Sequence, residues 1–178
     1  MEEQVKGHFW KQALIYGAIL GIVSVFISLV FYFIGMSMAS WTNWVNMLVS
    51  LVLLVYLMIQ YRNVHLGGYA SFGQIFVMVL VAAGILSTII GVLYQYVLFT
   101  FIDPGLLDQA KIAAEERIMS NSRIPESMYD DLIEKVDKRT TVAFMIKMGL
   151  IFGPVIYALI GLIVAAFIKK EQDVNSPV

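Results

Sequence analysis

ALIYGAILGIVSVFISLVFYFIGM, residues 13–36, carries no charged side chain. A helix needs roughly 20 consecutive apolar residues to cross the hydrocarbon core of a bilayer, so this stretch reads as a membrane span. The same character extends far beyond it. No Asp, Glu, Lys or Arg occurs from Gln12 to Tyr61, from Asn63 to Ile102, or from Met148 to Ile168. Hydrophobic residues make up 60% of the chain and charged residues only 14%, against about 25% charged in an ordinary soluble domain. So few charges could not cover the surface of a water-soluble fold.

Working outward from the first run, the sequence divides into spans at about 13–36, 41–61, 73–101 and 142–168, within one membrane domain over 1–178. The expected fold is an all-α integral membrane protein: four transmembrane helices with an amphipathic helical insertion between helices 3 and 4. Phe9, Trp10 and Lys11 precede the first span, and Trp41 and Trp44 open the second. Aromatic and basic residues of this kind sit at headgroup level. The link Ser37–Ser40 is short enough only for a helical hairpin. The acidic leader Met1-Glu2-Glu3 and the length of the first run argue against a cleaved signal peptide.

The insertion, 103–141, has a different composition, with nine acids and six bases. Asp103-Pro104 reads as an N-cap and a proline in the first helical turn, predicting a helix to about Met119. Asn121-Ser122 should break it and Pro125 should open a second. There Met128, Leu132 and Val136 share one face, while Asp131 with Lys135 and Glu134 with Lys138 form i,i+4 pairs on the other. This charged hairpin either caps the bundle or docks a protein partner.

Bulk charge excludes some functions. A net charge of −1 leaves no basic footprint for nucleic acid, and the absence of cysteine removes thiol chemistry and thiolate metal sites. His8 and His65 have no acid or cysteine at ligand spacing, so neither a metal nor a cofactor is expected. No nucleotide-binding or hydrolase fingerprint occurs, and no ionisable group lies mid-span, as a pump would need. The reading is therefore non-enzymatic. Lysines and arginines close to helix ends (Lys6, Lys11, Arg62, Lys169 and Lys170) place the termini inside and the insertion outside.

Small residues let membrane helices approach closely. Gly17 and Gly21, Gly84 and Gly91, and Gly149 and Gly153 are the expected packing positions of spans one, three and four. Span two has no glycine and is expected outermost. Pro154 removes a backbone donor from span four. Two candidate sites follow. Gly67 and Gly68, just after Arg62 and His65, form a turn whose exposed N–H groups and neighbouring guanidinium suit an anion such as a lipid headgroup. At the opposite membrane face, Gln95, Asp103 and Lys147 are candidates for a cluster tying the insertion to the bundle.

Tyr16-Gly17, Arg62, Gly67-Gly68-Tyr69-Ala70-Ser71-Phe72-Gly73-Gln74 and Asp103-Pro104 together resemble a known family. It is the domain-of-unknown-function family numbered 4199, small four-helix membrane proteins typical of Bacteroidetes. The resemblance implies a multi-pass protein of a bacterial inner (cytoplasmic) membrane, without catalytic residues to carry over. It also implies an accessory role beside a polyprenyl-phosphate glycosyltransferase. The expected function is a non-enzymatic scaffold or accessory subunit, whose partners are the bilayer and either another protein or a second copy. The alternative is a small transporter or lipid-binding protein. An enzyme acting on a lipid-linked substrate would need Arg62, His65 and Lys11 to converge.

Overall fold

The computed structural model describes residues 2–37 and 39–171; Met1, Met38 of the short link and residues 172–178 lie outside the described residues. The chain is 85% helical. Helix α1 is Glu2–Phe33 and α2 is Ser40–Gln60, which runs on into a wider π-helical turn at Tyr61–His65. Helix α3 is Phe72–Ile102, α4 Gly105–Met119, α5 Tyr129–Arg139 and α6 Val142–Ile168. Helices α1, α2 with its added turn, α3 and α6 are long and apolar enough to cross a membrane. Their outward faces carry large apolar side chains, among them Val52 at 70%, Phe33 at 80% and Phe167 at 86% exposure. Water would penalise such a surface at every position, and lipid does not.

The helix ends follow local chemistry. After α1, Gly35 takes φ 73°, and the Met36 and Gly35 amides donate to the carbonyls of Phe31 and Tyr32 at 2.9 and 3.0 Å. That is a glycine-terminated helix stop, closing orphan carbonyls that the bilayer would otherwise leave unmet. Helix α3 starts with a reciprocal cap. The Gln74 amide donates to Ser71 Oγ at 3.3 Å, and the Ser71 amide donates to Gln74 Oε1 at 2.8 Å.

The chain divides into two compact units, Met1–Gly91 with Phe152–Val178, and Val92–Ile151. In the first, α1 lies tightly on α3. A methyl added to Gly17 would stand 2.6 Å from Leu86 Cβ, and one on Gly21 2.8 Å from Ile90. Between α3 and α6, a methyl on Gly153 would stand 2.6 Å from Thr88, and one on Gly161 3.2 Å from Val79. One on Gly84 meets Leu80 at 3.3 Å and Pro154 at 3.5 Å. Helix α6 continues through Pro154. The middle of α3, Leu80–Ser87, is π-helical and buries Ala82, Ala83, Gly84 and Ser87. Thr88 Oγ1 donates to the Ala83 carbonyl at 3.4 Å, adding a bond inside that wider turn.

Helix α2 departs from its expected outermost place. Leu54 and Met58 are fully buried, and α2 packs on both α1 and α3. Its substitute for a glycine seam is polar. Asn46 Oδ1 accepts from Ser24 at 2.9 Å and from Ser50 at 3.4 Å, while its Nδ2 donates to the Ser24 carbonyl at 3.2 Å and to Ser28 Oγ at 3.0 Å. Polar side chains of this kind join helices in lipid, where they have no water to turn to.

In the second unit, α4 and α5 form a charged hairpin. Pro104, expected in the first turn, stands instead at the N-cap with helical angles, and the Asp103 carbonyl accepts from the Leu106 amide at 3.3 Å, so α4 begins one residue later than the Asp-Pro pair predicts. Asn121 Oδ1 accepts from the Arg123 amide at 3.1 Å, forming the turn that breaks the helix. A 3-10 turn at Glu126–Met128 leads into α5. Of the two expected i,i+4 pairs, Glu134–Lys138 forms, and its hydrogen bond to Lys138 holds the Glu134 carboxyl below its ordinary range. The two helices are joined instead by Lys111 and Asp137, 3.1 Å apart. Also in this unit, a methyl on Gly149 would stand 2.9 Å from Val92 Cγ2.

Candidate functional site

The segment from Tyr61 to Gln74 lies in the first unit, and its geometry follows from two glycines. Gly67 and Gly68 take φ 66° and 88°, a left-handed pair that residues with a Cβ resist. This reverses the chain within a few residues, so the Gly68 amide donates back to the Arg62 carbonyl at 2.9 Å and the Tyr69 amide to Leu66 at 3.4 Å. Extended Ala70 then pairs with the stretch just after α6. Its amide donates to the Lys170 carbonyl, and the Lys170 amide to the Ala70 carbonyl, both at 2.9 Å.

These bonds correct the expectation of bare donors at Gly68, and they do not extend to Gly67. From Gly68 to Ser71, every backbone N–H has an acceptor within the chain. Arg62 is also engaged: Nη1 donates to the Ile168 carbonyl at 3.0 Å and Nε to Asn63 Oδ1 at 3.0 Å. A cation on the last carbonyls of α6 completes bonds that the helix cannot make for itself and opposes the negative end of its dipole. His65 Nδ1 lies 2.8 Å from His8 Nε2 on α1. The rings of Tyr16 and Tyr61 stand 6.5 and 6.1 Å from that of His65, centre to centre. Lys11 is exposed and makes no bond to Arg62 or His65.

What remains open to a ligand lies beside the turn. A cleft of about 180 Å³ is lined by Tyr69, Ala70, Ser71, Gln74, Lys170 and Glu171. Lys170 Nζ stands 5.3 Å from the centre of the Tyr69 ring, a cation over an aromatic face. An anionic group entering here would meet Lys170, not the glycine turn. Among the described residues, no group of three or more His, Cys, Asp or Glu side chains could hold a metal.

The second expected cluster is not drawn together by bonds. Gln95 is half-buried on α3, Lys147 is exposed on α6, and neither makes a hydrogen bond or ion pair among the described residues. The Asp103 amide donates to the Leu98 carbonyl at 2.8 Å. Of the packing glycines, Gly17, Gly21, Gly84, Gly149 and Gly153 face neighbouring side chains, whereas nothing lies within 4 Å of a methyl added at Gly91. Sequence reading passed over Asn46. Its signal was an amide set within a largely apolar span, with serines at helical spacing on the neighbouring span.

No curated protein and no solved structure matches the chain. Residues 15–170, which include the glycine turn, the Asp103-Pro104 start of the hairpin and nearly all four spans, match a protein family described as "Protein of unknown function (DUF4199)", and the chain belongs to that family.

Proposed function

We propose that this protein is a non-enzymatic scaffold or accessory subunit of a bacterial inner-membrane complex, with its termini cytoplasmic and its hairpin on the opposite side. The hairpin carries the reading. Its helices are clamped by Lys111 and Asp137, yet Ile112, Met119 and Met128 remain exposed among charged neighbours outside the apolar spans. Apolar side chains in such a setting have no lipid to face, and methionine adapts readily to a partner's surface. The partner class implied by the family resemblance, a polyprenyl-phosphate glycosyltransferase, belongs to the same proposal. Purification from native membranes in mild detergent, followed by mass spectrometry, is expected to recover a stoichiometric protein partner that the pair Ile112→Asp and Met119→Asp releases. Recovery of an isolated monomer across several detergents would reject it.

A second reading, lipid binding, is favoured by the cleft under Lys170. Lys170→Ala is expected to reduce co-purifying anionic lipid, while Arg62→Ala chiefly lowers thermal stability by uncapping α6. Unchanged lipid content in Lys170→Ala would remove this reading.

A further inference from the structure

Two imidazoles from distant parts of the chain meet at 2.8 Å, and neither pairs with a carboxylate among the described residues. A contact between His8 Nε2 and His65 Nδ1 at that distance needs one N–H and one lone pair. It can form when both rings are neutral, and it strengthens when one ring is cationic, because the bond is then charge-assisted. It cannot survive protonation of both rings, when each facing nitrogen carries a hydrogen and each ring a positive charge.

Nearby groups offer no relief for that second charge. On α1 the neighbours are Tyr16, whose ring is 6.5 Å from that of His65, and Lys11, three residues beyond His8. On the turn after α2 they are Tyr61, 6.1 Å away, and Arg62, committed to the Ile168 carbonyl. The chain after α6 brings Lys169, Lys170 and Glu171 to the strand-like stretch that follows the glycine turn, where Lys170 pairs with Ala70. On α1 and the turn the ionised groups among these are cations, and the one acid, Glu171, lines the cleft beside Ser71 and Gln74. His8 is exposed, so protons reach the pair from water.

We propose that His8 and His65 form a proton-operated clasp that holds the start of α1 to the glycine-closed turn after α2 and opens when both rings are charged. Deeper in α1, Gln12, Ala13 and Tyr16 are buried and hold the helix in place independently. Phe9 also packs against the core, so opening frees only the turn before it. The fold thus couples pH at one membrane surface to release of the amino-terminal turn, and this holds whatever partner the hairpin binds.

The chain contains two histidines, so histidine-selective ¹⁵N labelling of the full protein in nanodiscs reports on this pair alone. The wild type is expected to titrate in two separated steps, with nitrogen–nitrogen coupling across the hydrogen bond lost in the acid step. His8→Ala and His65→Ala should each titrate in one step. Amide exchange over residues 8–12, corrected for its intrinsic pH dependence, should rise about tenfold between about pH 7.5 and about pH 4.5 in the wild type. In His8→Ala, an exposed and structurally mild change, it should already be fast at the higher pH. Two independent, identical titrations would overturn the proposal, as would amino-terminal exchange indifferent to the acid step.

Discussion

Asn46 shows what one residue can do where there is no water. All four bonds open to its amide are made, to Ser24, Ser28 and Ser50, so a half-buried polar group becomes a joint between α1 and α2. Individual bonds of this type in membrane proteins average about 0.6 kcal/mol and reach about 1.7. Because the four share one side chain, their sum is less than additive. Asn46→Leu is therefore expected to lower unfolding free energy by about 1–2 kcal/mol, read from unfolding titration in mixed micelles. A change too small to measure would show that the serines find other partners. Arg62 makes the complementary point. A guanidinium expected to face an anion is spent on a helix carbonyl, because the end of α6 presents an acceptor that lipid and turn leave unmet.

At the scale of elements, the contact surfaces of α1, α3 and α6 are set by where a missing side chain is needed. Gly17 and Gly153 each sit where a methyl would fall 2.6 Å from a neighbour, and Gly91 sits beside open space. Gly17→Val should cost about 1–3 kcal/mol by forcing α1 from α3. Gly91→Ala should leave stability within about 0.5 kcal/mol of the parent or raise it, since alanine favours helix. Thermal unfolding of both variants in one detergent provides the check, and equal losses would contradict the packing described. The glycine pattern was legible in the sequence, but which members of it touch a partner was not. Spacing reports a face of a helix; it does not report how deep along that face the neighbour lies. The hairpin divides in the same way. Its helix limits followed from Asp103-Pro104, Asn121 and Pro125, whereas its clamp joins Lys111 to Asp137 across the two helices instead of using both i,i+4 pairs.

For the whole molecule, four helices are long and apolar enough to cross a membrane, and an even number of crossings would leave both termini on one side. The proposed orientation predicts a fluorescent carboxy-terminal green fluorescent protein fusion and an active alkaline phosphatase fused near Asn121. The reverse pattern would invert the orientation, and one and the same reporter active at both positions would contradict a crossing of α6 between them. The sequence alone determined the spans, their approximate ends and the charged hairpin, because a bilayer imposes its demands locally. Charge is excluded along a fixed length of helix, and backbone groups must be satisfied within each segment. Tertiary structure alone decided the contacts between distant positions. His8 and His65 are 57 residues apart, Ser24 and Asn46 are 22 apart, and Arg62 and Ile168 are 106 apart. Each such pair depends on the rotation and depth of two helices, which apolar surface in lipid does little to specify. Close packing at glycines and a few polar bonds set them instead, and no local pattern records which of those bonds will form.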